Sequence, residues 1–85
     1  MKEFEYKIKD SLGIHARPAG LLVNLCKQFD SKIDIEKNGK RIDASRLISL
    51  MGLGIKCEDT IKIYIDGPDE NDAQDALQKF LNENL

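Results

Sequence analysis

The chain has one histidine, no tryptophan, two prolines and two cysteines among 85 residues. Cys26 and Cys57 stand far apart, with no Cys-x-x-Cys pair, and only His15 could join them. Structural zinc ordinarily takes four such ligands, so a metal site of that kind is excluded. The charged start, Met-Lys-Glu-Phe-Glu-Tyr-Lys, does not read as a secretory signal. Both thiols are therefore read as reduced, small semi-buried hydrophobes, and the chain as cytoplasmic. No apolar run approaches the roughly 20 residues of a membrane-spanning helix, so no membrane insertion is expected. Nor does one sign of charge dominate. Lys and Arg number 13 against 15 Asp and Glu, for a net charge of -2, which argues against a broad basic face for nucleic acid.

Shortness excludes more. Residues 1–85 suit a single domain, without an interdomain cleft. A domain of this size buries roughly 60–65% of its unfolded surface. No deep pocket for a large cofactor fits inside, and none is expected. Chemistry should sit on the surface and use few residues.

What is present alternates in type. Residues 3–9 place Phe4, Tyr6 and Ile8 on one face and charges on the other, as in a half-buried strand. Residues 16–29 put Ala19, Leu22, Leu25, Cys26 and Phe29 on one helical stripe, with Pro18 near the start, where a missing N–H costs nothing. Residues 32–37 and 40–43 read as strands joined by Asn38-Gly39, a type I′ hairpin signal. Residues 46–53 are apolar nearly all round and punctuated by Gly52 and Gly54, which predicts a two-turn helix. Residues 60–66 alternate Ile61, Ile63 and Ile65 against Lys62 and Tyr64. After Gly67-Pro68, Asp69 is placed to cap a last helix whose stripe is Ala73, Ala76, Leu77, Phe80 and Leu81. The order βαββαβα predicts an α+β fold. It is an open-faced two-layer sandwich with a four-stranded antiparallel sheet and three helices on one face.

The stretch with chemistry in it is Gly13-Ile14-His15-Ala16-Arg17-Pro18-Ala19. The only histidine lies where a loop enters the first long helix. Free amides and the helix dipole favour an anion there. Arg17 can add a charge-assisted hydrogen bond to phosphate oxygens. The same positive field favours a neutral, nucleophilic ring. Pro18 pre-sets the backbone, and Gly13 lets the loop bend tightly. A lone histidine beside a helix start is more often a cap or plain surface, and spacing alone does not establish phosphoryl transfer.

That motif resembles the active-site signature of the HPr family, the histidine-containing phosphocarriers of the bacterial sugar phosphotransferase system. Asn38-Gly39-Lys40, Leu50-Met51-Gly52-Leu53-Gly54-Ile55 and Gly67-Pro68-Asp69-Glu70-Asn71-Asp72-Ala73 resemble the family's hairpin, its segment after the short helix and its entry to the last helix. The resemblance implies that enzyme I phosphorylates His15 on Nδ1, that Ala16, Arg17 and Pro18 form the phosphate-binding helix start, and that EIIA domains of sugar permeases receive the group. It also implies a carrier, transiently phosphorylated and not a self-sufficient enzyme, that works as a monomer. The short helix holds more large apolar residues than one buried side can absorb. Leu47, Ile48 and Met51, with Leu21 on the first helix, are the expected docking residues. A serine that the family's Gram-positive members present to an ATP-dependent kinase aligns with Arg46 here. Ser45, one residue earlier, is better placed as a helix cap, and regulatory phosphorylation is expected to be absent or weak. Gly20 and Asn24 are lesser departures. An HPr-like adaptor that acts by docking, including on a catabolite-repression regulator, is the alternative function.

Overall fold

Isoleucines at every second position have one economical solution, a sheet with a single wet face. The computed structural model, which describes residues 1–85, has that form. The elements are β1 (Lys2–Lys7), α1 (Ala16–Cys26), β2 (Lys32–Lys37), β3 (Lys40–Asp43), α2 (Leu47–Met51), β4 (Thr60–Asp66) and α3 (Glu70–Asn84). The sheet order is β1-β4-β2-β3, and every neighbouring pair is antiparallel. β4 is central, with Ile63 opposite Phe4 on one side and Ile35 on the other. Asn38 and Gly39 both take positive φ (52° and 83°), the requirement of the type I′ turn joining β2 to β3.

One face of the sheet carries the helices over a cluster of 19 buried residues. Ile61, Ile63 and Ile65 from β4 meet Leu22 and Val23 from α1, Leu50 from α2, and Leu77 and Leu81 from α3. Each such aliphatic side chain contributes about 1.5–3 kcal/mol when fully buried. The other face is charged. There the Arg41 guanidinium lies 3.7 Å from the centre of the Tyr64 ring while its Nε contacts Asp34 Oδ2 at 2.9 Å. The Tyr64 hydroxyl donates to Glu36 Oε1 at 2.6 Å. These residues keep the open face wet and contribute little stability individually.

Several boundaries and roles differ from the expectation. β1 covers residues 2–7, so Ile8 is buried just past its end. α1 stops at Cys26. Gln28 and Phe29 continue the turn through bonds to carbonyls three residues back, which leaves Phe29 and Leu25 half-buried while Pro18 and Val23 take buried places. Ala76 and Phe80 are likewise only half-buried on α3. α2 is Leu47–Met51, shorter than the expected 46–53.

Asp69 holds the N-cap position of α3, but its side chain makes no cap bond. Its carboxylate instead accepts the Asp30 N–H (2.8 Å), the Ser31 N–H (2.9 Å) and the Ser31 hydroxyl. It therefore ties the turn after α1 to the start of α3. The Gly67 N–H is taken by the Glu70 carboxylate at 3.2 Å. The Ser31 hydroxyl, followed by the Asp30 amide, holds the Asp69 carboxyl below its usual value of 3.8. A depressed folded pKa gives stability that is complete above the unfolded value and lost as pH falls through the folded one. Asp69→Asn should therefore lower the Tm at pH 7. The gap to the wild type should narrow as pH drops below about 3.8. Thermal unfolding followed by circular dichroism from pH 7 to pH 2 measures this; a gap of constant size would refute the role.

Candidate functional site

The loop between β1 and α1 is held by main-chain atoms distant in sequence. Ile8 donates to the Asp59 carbonyl and accepts the Glu58 N–H, both at 2.8 Å. The N–H groups of Lys9 and Asp10 converge on the Leu85 main-chain oxygen at 2.6 and 2.8 Å. The Ile14 N–H donates to the Ile55 carbonyl at 3.1 Å, and the Ile14 side chain is buried. Between these anchors lies a tight turn. The Gly13 N–H reaches the Asp10 carbonyl at 2.9 Å, and Asp10 Oδ1 accepts the Leu12 N–H at 2.8 Å. Gly13 has φ +66°, and a Cβ there would collide with the Ile55 carbonyl oxygen and lie 2.7 Å from Lys56 Cα. Glycine is needed both for the conformation and for the close approach.

The chain then enters α1 with His15 as the N-cap, in an extended conformation (φ -109°, ψ -177°). Its carbonyl accepts the Ala19 N–H at 2.9 Å, while its ring makes no capping bond. Ser, Thr, Asp or Asn at this position would fold back on the first-turn amides. Histidine leaves them open. The amides of Ala16 and Arg17 find no carbonyl partner, and Pro18 has no N–H. The helix start therefore offers two free donors and its dipole beside an unengaged imidazole. Arg17 is exposed and enters none of the ion pairs. Its guanidinium is thus available to an incoming anion.

His15, Arg17, Pro18 and Leu21 line one shallow cleft of about 150 Å³ together with Asp10 and Asn84. Ala16 is exposed beside it. α2 packs against α1. The buried side of α2 is Leu50, with Leu53 buried just beyond the helix; Leu47, Ile48 and Met51 are exposed, Ile48 by 84%. A side chain that forgoes about 2 kcal/mol of burial in so small a domain is not accounted for by packing. Two residues that line the cleft, Asp10 and Asn84, were not singled out from sequence. Asp10 had a readable signal, since Asp at the first and Gly at the fourth position of Asp10-Ser11-Leu12-Gly13 is a turn signature. Leu12, 70% exposed, stood as an isolated apolar residue in that turn. Asn84 had none, because its place depends on where α3 ends.

Ser45 is not the cap of α2. The N-cap is Arg46, and the Ser45 hydroxyl donates to Asp43 Oδ1 at 2.7 Å, with the Ser45 N–H on the same oxygen at 2.9 Å. These two donors, the amide foremost, hold the Asp43 carboxyl below its ordinary range. Cys26 is buried, and desolvation pushes its thiol up to about 12; Cys57 is half-buried near the Lys9 carbonyl.

Residues 2–83 match the family model described as the PTS HPr component phosphorylation site. The chain is 40% identical over 81 residues to an HPr-like protein Crh of Halalkalibacterium halodurans, covering 95% of this chain and 96% of that one. It is also 40% identical over 85 residues to the phosphocarrier protein HPr of Mycoplasma genitalium, covering 99% and 97%. Among solved structures, an HPr from Thermoanaerobacter tengcongensis is similar with a TM-score of 0.92 at 36% identity, over 96% of this chain and 92% of that one. Crh of Bacillus subtilis, solved as a domain-swapped, intertwined dimer, gives 0.77 at 28% identity, over 100% and 98%.

Proposed function

The chain belongs to the HPr family of the phosphotransferase system, and from that premise we propose that it is a carrier of the HPr type. It takes a phosphoryl group from enzyme I on Nδ1 of His15 and passes it to EIIA domains of sugar permeases. One observation carries this reading: an unengaged imidazole stands at a helix start beside two unpartnered amides and an unpaired guanidinium. The bond from phosphorus to the donor breaks as the Nδ1–P bond forms, and the leaving group keeps its electron pair. The Ala16 and Arg17 amides donate to the phosphoryl oxygens, and the Arg17 guanidinium adds a charge-assisted bond. Proteins of this family carry phosphoryl groups and are not catalysts on their own.

Leu47, Ile48, Met51 and Leu21 form the docking surface for enzyme I and EIIA. Their exposure supports that role, and the methionine suits a surface that must fit several partners. No helix is long and apolar enough to cross a membrane, and the reading places the carrier in the cytoplasm. The reading also takes the carrier to work as a monomer.

A second reading is the docking regulator, favoured by the 40% identity to an HPr-like protein Crh. Kinase control through α2 would need a hydroxyl where Arg46 stands, and the Ser45 hydroxyl is engaged by Asp43.

With labelled phosphoenolpyruvate and enzyme I, the wild type should gain one acid-labile phosphoryl group and His15→Ala none. Arg17→Ala should be slowed about tenfold to a hundredfold, the value of one hydrogen bond to a charged group. An unlabelled wild type, or equal label on His15→Ala, contradicts the carrier reading. With an HPr kinase and ATP, mass spectrometry should find no stoichiometric phosphate on Ser45; finding it would favour the regulator.

A further inference from the structure

We propose that the charge of Asp10 raises the phosphoryl-transfer potential of His15, so that the loaded carrier gives its group up more readily. The proposal rests on the carrier reading of His15 and extends it to a residue that no motif assigns.

Asp10 is a fixed charge. Its N–H is held by the Leu85 main-chain oxygen at 2.8 Å, its carbonyl by the Gly13 N–H at 2.9 Å, and its Oδ1 by the Leu12 N–H at 2.8 Å. Asp10 lines the same cleft as His15 and Arg17. Nothing neutralises it there. Asp10 enters no ion pair, and Arg17, across the cleft, is unpaired as well.

The turn does not require that charge. Asn or Ser at the first position would supply the same acceptor oxygen for the Leu12 N–H. The negative charge is thus a feature beyond the needs of the loop, and it acts on whatever else is charged in the cleft. When His15 is unloaded, a carboxylate that shares the cleft with Arg17 and the positive end of α1 is in a favourable field. When the ring carries a phosphoryl dianion, the same carboxylate opposes it and competes for Arg17. The loaded state is raised relative to the empty one. Across a partly solvated cleft, this repulsion corresponds to about a threefold to tenfold change in the loading equilibrium, reduced by salt.

The test is the equilibrium between phosphoenolpyruvate and pyruvate, catalysed by enzyme I in the presence of excess pyruvate. Because enzyme I only speeds this equilibrium, its fit to a variant drops out of the result. Asp10→Asn keeps the acceptor for Leu12 and removes the charge. Its ratio of phosphorylated to free chain should rise about threefold to tenfold over the wild type, and the difference should shrink when salt is raised to about 1 M. Asp10→Ala removes both functions. It should show the same rise, with a lower Tm from the loosened turn. An Asp10→Asn ratio equal to or below the wild type, or a rise that salt does not reduce, overturns the proposal while leaving the carrier reading intact. A wild type that takes no label at all overturns the carrier reading and this inference with it.

Discussion

Two main-chain oxygens, those of Ile55 and Leu85, fix where the only histidine of this chain can be. The Leu85 oxygen takes the N–H groups of Lys9 and Asp10, and the Ile55 carbonyl takes that of Ile14. Residues 9–14 have no regular structure of their own; Asp10 takes the Leu12 and Gly13 amides within the turn, and those of Lys9, Asp10 and Ile14 are satisfied elsewhere. Meeting that demand against the end of α3 and the segment after α2 places His15 at one point relative to the whole sandwich. Gly13 makes the approach sterically feasible. The site follows from this pinning: a free ring, a free guanidinium and a held carboxylate line one shallow cleft, with two free amides at the adjoining helix start.

The division of labour between sheet and helices explains how so small a chain can hold a reactive surface. Isoleucines of β4 and β2 and the buried stripes of α1 and α3 supply the core. That leaves the start of α1 and the outer side of α2 unneeded for packing. The start of α1 keeps its unsatisfied donors, and α2 keeps Leu47, Ile48 and Met51 in water. Local costs of this kind support the docking role proposed for these residues. The chemistry that the proposed carrier role asks of the chain is equally small. A single phosphoryl group needs one nucleophile, a few donors and a partner to deliver it. The histidine in the N-cap position is central to this arrangement, because a better capping residue would spend the donors on itself.

Much of this was legible in the sequence, and the illegible part has a common cause. The bounds of β2, β3 and β4 agree because alternation and the Asn38-Gly39 turn are local signals. The motif around His15 was readable for the same reason, as a nucleophile, a cation, a proline and a glycine adjacent in the chain. The end of α1 was overrun because residues 27–29 continue in tighter, three-residue turns that preserve the apolar spacing. Asp69 was read as a cap because caps are local, whereas its partners Asp30 and Ser31 lie 39 and 38 residues away. Ser45 was read as a cap because it precedes a short helix, but Asp43 lies within its reach and wins the hydroxyl. The Ile55 and Leu85 oxygens are main-chain atoms that every residue has, so no side-chain pattern announces them. The place of Asn84 in the cleft appears only after those anchors have been placed.

The central claim is that a phosphoryl group on His15 is received by the free amides at the start of α1. Amide resonances of the isotopically labelled chain, recorded before and after phosphorylation by enzyme I, test it most directly. The account predicts large downfield proton shifts at Ala16 and Arg17, with the amides of β2, β3 and β4 nearly unmoved. Unchanged Ala16 and Arg17 resonances in a fully phosphorylated sample would contradict it.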